Sequence, residues 1–73
     1  VKLWLLKRTE NSVGWDEYLG FVVAADDSTR AREMAHEAAR EPWWLDSSQT
    51  SIEHIGEAAY PEDRVVLDSF NAG

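Results

Sequence analysis

The chain contains no cysteine. Disulfides and thiolate zinc sites are therefore excluded, and the composition is compatible with a reducing compartment. No apolar run approaches the roughly 20 residues that cross a bilayer as a helix. The apolar N-terminal run is too short for a secretory signal and has no small-residue cleavage site. These absences together give a cytoplasmic expectation. Basic residues are also scarce, with seven Lys and Arg against fourteen Asp and Glu and a formal charge of −7. Direct nucleic-acid binding needs a basic footprint, and an anionic membrane would repel this surface. A protein partner with a basic surface would be attracted to it; acidity that merely keeps a small protein soluble is the plainer alternative. The four glycines are scattered, so no phosphate-cradling loop or dinucleotide fingerprint exists, and zinc and calcium spacings are missing too. The two histidines, His36 and His54, have no second ligand at a recognisable spacing. No cofactor, metal or catalytic constellation is expected. A 73-residue chain also has little room for a water-excluding pocket, so an enzyme is not expected.

What is present is a single domain, residues 1–73, near the lower size limit for one core. Four Trp, two Tyr and two Phe offset the small size, because each buries a large area. Residues 1–9 read as a first strand built on Leu3-Trp4-Leu5-Leu6. Alternation puts Leu3 and Leu5 on one face and Trp4 and Leu6 on the other, the pattern of a central strand covered on both sides. A polar stretch follows, and residues 19–25 read as the second strand. Asp26-Asp27-Ser28 supplies capping oxygens, with Asp27 or Ser28 as N-cap. Ala31, Met34, Ala35, Ala38 and Ala39 then form a helical stripe. Pro42 ends the helix near Arg40, since it forces Glu41 into extended geometry. Residues 52–57 and 64–70 complete the set as third and fourth strands, separated by a turn that contains Pro61.

The order ββαββ predicts an α+β fold: a four-stranded antiparallel sheet in the order 2-1-3-4, with the helix crossing right-handed over one face. One helix covers one face only. The other face must be shielded by Trp43-Trp44 folding back or by loops, by a second copy in a homodimer, or by another partner.

Two aromatic and acidic stretches are candidates for recognition. Trp15, Asp16, Glu17 and Tyr18 could form an interface edge, or Trp15 and Tyr18 could close the core while the acids stay wet. Trp43, Trp44 and Asp46 pose the same choice, because adjacent residues of an extended chain point in opposite directions. Asp26, Asp27, Glu62 and Asp63 are further carboxylates placed in loops.

Taken in order, Lys2-Leu3-Trp4-Leu5-Leu6, Arg8-Thr9, Asp16-Glu17-Tyr18, Phe21-Val22-Val23, Trp44-Leu45-Asp46 and Phe70-Asn71-Ala72-Gly73 resemble a group of small acidic phage and prophage proteins. The chain departs from that pattern at Trp15, where tyrosine is expected, and in residues 58–63. The group has no assigned activity, so the resemblance implies no site residue. It implies a setting, an infected or lysogenic cell in which small acidic proteins bind host machinery. An inhibitor of host defence of the anti-CRISPR kind is the expectation that follows, acting as a DNA mimic that occludes a basic nucleic-acid-binding surface. A structural or accessory phage module, or a homodimer with no inhibitory role, is the alternative.

Overall fold

In the computed structural model, residues 1–9, 17–59 and 62–71 are described here. Trp15 and Asp16 lie outside the described residues. The elements are β1 (Lys2–Arg8), β2 (Glu17–Ala25), α1 (Ser28–Ala39), a 3-10 turn η1 (Pro42–Leu45), β3 (Thr50–Glu57) and β4 (Arg64–Asn71). The order ββαββ and the single antiparallel sheet with one helix are as the sequence predicts.

β1 is central. It pairs antiparallel with β2, Leu6 opposite Phe21 and Leu5 opposite Val22, and antiparallel with β3, Leu6 opposite Ile52. The sheet order is β3-β1-β2-β4. The last strand thus pairs with the outer edge of β2 and not with β3, which corrects the expected 2-1-3-4 order. Side-chain pairing accounts for the choice. Against β2 the last strand sets Val65 opposite Val23, Leu67 opposite Val22 and Phe70 opposite Tyr18. Apolar and aromatic cross-strand pairs contribute about 0.2–1 kcal/mol each, whereas β3 would offer Ile52 and Ile55 among Ser51, Glu53, His54, Gly56 and Glu57. The connection of residues 58–63 is long enough. Six residues reach about 20 Å, more than the three strand spacings of ~4.8 Å between the two edges.

The core lies between the sheet and α1. Leu6, Phe21, Val23, Ala25, Ala31, Ala35 and Trp44 form one buried cluster. Ala31 and Ala35 bring the helix close to β2, while Met34 and Ala39 pack at its margin; Ala38, expected in the same stripe, is exposed. The stripe is narrower than the sequence suggests because the helix touches the sheet along one line. Asp27 is the N-cap, its Oδ1 accepting from Arg30 N at 2.8 Å. Arg40 closes the helix in the left-handed region at φ 57°, its N–H donating to His36 O at 2.7 Å. Glu41 is extended at φ −120°, ψ 124°, as Pro42 requires.

Trp43 and Trp44 belong to a 3-10 turn, so the extended-chain argument for opposite directions does not apply. Both pack on the helix side of the sheet. Trp44 is fully buried and meets Phe21 edge-on, ring centroids 5.0 Å apart at 89°. The idea that this pair folds back over the second face is therefore overturned. Its helical turn is short, and it starts where α1 has just ended on the first face.

Candidate functional site

The sheet has two ends, and the candidate residues divide between them. Six residue steps along β1, about 20 Å, separate the Lys2–Ala25 pair at one end from the Arg8–Thr50 pair at the other.

At the first end β2 stops, α1 starts and β4 begins. Asp26 and Asp27 are exposed here, as are Glu57 and Glu62. Asp63 sits against the first turn of α1, its Oδ2 3.6 Å from Arg30 Nε, and Arg30 also lies 3.6 Å from Glu33 and 3.7 Å from Glu37. Arg64 approaches Glu62 at 4.0 Å, and Lys2 Nζ donates to the Asp26 carbonyl at 3.4 Å. Exposed pairs of this geometry contribute at most about 1 kcal/mol each, so they leave the acids accessible to a stronger cation. Asp26, Asp27, Glu62 and Asp63, distant in sequence, thus share one end.

At the second end the candidate residues are structural. Tyr18 lies within β2, not in a loop; its ring stacks on Phe21 at 5.0 Å and tilts against Phe70 at 4.7 Å. Glu17 is also on β2, with Oε1 3.4 Å from Arg8 Nη1. The Arg8 guanidinium stands 4.5 Å over the Trp43 ring, a cation–π contact. Trp44, buried in the core, offers no contact surface. Asp46 organises a turn: Oδ1 accepts from Ser48 N at 2.9 Å and Ser48 Oγ at 2.7 Å, and Oδ2 accepts from Gln49 Nε2 at 3.0 Å. Those bonds, the Gln49 amide first, hold its carboxyl below the ordinary value, with the Arg32 guanidinium adding a smaller pull.

Three residues that sequence reasoning passed over hold this end together. Glu41 is 8% exposed; it accepts from Trp44 Nε1 at 2.9 Å and from Tyr18 N at 3.3 Å. Arg32 donates to Trp44 O, to Thr50 Oγ1 at 2.7 Å and to Thr50 O, tying α1 to η1 and β3. Thr50, 1% exposed, has its hydroxyl 2.9 Å from both Trp43 O and Asp46 O. The extended geometry that Pro42 imposes on Glu41 was the one available signal. Arg32 and His36 also share a helical flank beside the alanine stripe. His36 is half-buried, and its Nδ1 lies 3.1 Å from the Glu41 carbonyl, a partner that can only accept.

The opposite sheet face carries Leu3 and Leu5 of β1, Val22 of β2 and Leu67 of β4, as alternation and pairing require. Both α1 and η1 lie on the other side, and among the described residues no element is packed here. Leu67 is 64% exposed. Among the described residues there is no group of three or more metal-ligating side chains, and no helix is long and apolar enough to cross a membrane. Comparison with family models, curated proteins and solved structures returned no match.

Proposed function

We propose that this chain acts by binding, not by chemistry, and that its acidic surface engages a basic surface on a protein partner. In the phage setting implied by the resemblance, the partner is a nucleic-acid-binding complex of host defence. Inhibition is by occlusion in the cytoplasm of the infected cell. The carrying observation is how the charges are distributed. Asp26, Asp27, Glu33, Glu37, Glu57 and Glu62 are exposed, while Arg32 is turned inward onto Thr50 and Arg8 lies across Trp43. Asp26, Asp27, Glu57, Glu62 and Asp63 thus gather at the sheet end where α1 starts, beside Lys2, Arg30 and Arg64. Carboxylates at the sheet end where α1 starts would replace phosphates in a basic groove, and Asp26, Asp27, Glu62 and Asp63 are the contact residues. Tyr18, Trp44 and Asp46 build the fold that presents them.

The test is displacement of DNA from purified CRISPR surveillance and effector complexes, assayed with this chain as competitor. The reading expects one class of complex to release its DNA at stoichiometric amounts of the chain. It also expects the double variant Asp26→Asn/Glu62→Gln to compete roughly tenfold more weakly, from loss of two charge contacts of about 0.7 kcal/mol each. Full DNA binding throughout such a panel, or undiminished competition by the variant, would count against occlusion by these carboxylates.

A further inference from the structure

The exposed sheet face is unlike the rest of the surface. Its central residues Leu3, Leu5, Val22 and Leu67 are apolar, and among the described residues the charges on or beside the face are Lys7 on β1, Glu53 on β3 and Arg64 and Asp68 on β4, all exposed. On a chain of net charge −7 these described charges balance, two of each sign. We propose that it is the interface of a two-fold homodimer, a second copy packing face to face against it. This inference is independent of the acidic-surface reading, since the acids proposed there lie at the sheet end and not on this face.

Two features select a second copy as the occupant. The first is charge. Two chains of −7 repel each other, so self-association is favoured only where the local charge cancels. A two-fold axis through this face can set Lys7 of each copy beside Glu53 of the other. The second is shape. Leu67 protrudes, 64% exposed, beside a depression of about 260 Å³ whose lining includes Leu5, Lys7, Gly20, Val22, Asp68 and Leu67 itself. A two-fold interface requires knob and hole on one patch, and here they adjoin. Gly20 borders the hole, and a Cβ there would meet the Leu6 carbonyl oxygen at 2.7 Å.

Sedimentation equilibrium on the full chain between 1 and 500 µM tests the proposal. The wild-type chain is expected to be a dimer, and a tighter one in 500 mM than in 50 mM salt, because salt screens the repulsion between two acidic copies. Binding of the acidic end to a basic partner has the opposite salt dependence, so failure of one reading does not carry over to the other. Leu67→Asp is expected to weaken dimerisation by about a hundredfold with an unchanged circular dichroism spectrum. Leu45→Asp, on the opposite side of the molecule, should leave the dimer intact. Lys7→Glu is a second variant at an exposed position that does not depend on Leu67 for folding. It should weaken the dimer about tenfold, and adding Glu53→Lys should restore it. A chain that stays monomeric at 500 µM in both salts overturns the proposal. So does a dimer that survives Leu67→Asp and Lys7→Glu, or one that Leu45→Asp dissociates.

Discussion

Glu41 is a buried carboxylate whose partners are an indole and a backbone amide. Trp44 Nε1 donates to Oε1 at 2.9 Å, and Tyr18 N reaches both oxygens at 3.3–3.4 Å. Glu41→Ala leaves two donors without their acceptor inside the fold. At about 1–3 kcal/mol for each stranded donor, the expected loss is roughly 2–6 kcal/mol. A chain of 73 residues has about 4–11 kcal/mol of stability, so this variant should be strongly destabilised. Glu41→Gln keeps the shape and one acceptor for Trp44, but turns an NH2 group toward Tyr18 N or toward the indole. Its expected loss is about 1–2 kcal/mol. Urea unfolding followed by circular dichroism measures both, with the slope against urea checked for constancy. A double-mutant cycle with Trp44→Phe isolates the indole bond, and a coupling of about 1–3 kcal/mol is expected. If Glu41→Ala costs less than about 0.5 kcal/mol, or the cycle shows no coupling, the carboxylate is not holding η1 to β2 and the reasoning fails.

Gly20 and Gly56 should respond oppositely to alanine. A Cβ on Gly20 would stand 2.7 Å from the Leu6 carbonyl oxygen, a backbone atom that cannot swing away, while one on Gly56 meets nothing closer than Leu3 Cδ1 at 4.0 Å. Gly20→Ala is expected to destabilise by about 1–3 kcal/mol and Gly56→Ala to stay within about 0.5 kcal/mol of wild type, both read from thermal or urea melts. Asp46 gives a pH prediction. Its carboxyl is held below the ordinary value of 3.8 in the folded chain, so the unfolded chain binds the proton more readily. The stabilisation is present above about pH 4 and is lost as pH falls through the lower folded value. Asp46→Asn should flatten that part of the stability–pH curve; a curve superimposable on wild type between pH 2 and 5 would contradict the turn geometry.

The elements were legible where local chemistry decided them. Asp27 capped the helix, Pro42 ended it, and the two-sided apolarity of Leu3 to Leu6 marked β1 as central. Global choices were not legible. Both edges of the sheet were open to an antiparallel fourth strand, and only the cross-strand partners of Val65, Leu67 and Phe70 place it beside β2. The recognition residues divided for a similar reason. Loop acids and aromatics look alike in one dimension, but Asp46 proved to be bonded into its own turn and Trp44 into the core. Asp26 and Asp27 meet Glu62 and Asp63 only through the return of the chain to the start of α1. Glu41 was invisible because a buried carboxylate is recognised by its donors, and one of them, Tyr18 N, lies 23 residues away.

In the proposed function the acidic sheet end binds a basic partner through charge. The most direct measurement is the dissociation constant of the chain from a captured partner complex across 50–500 mM salt, for wild type and for Asp26→Asn/Glu62→Gln. The expected result is affinity that falls steadily with salt for the wild-type chain and less steeply for the variant. Equal affinity at both salt extremes, or the same slope for both chains, would contradict it.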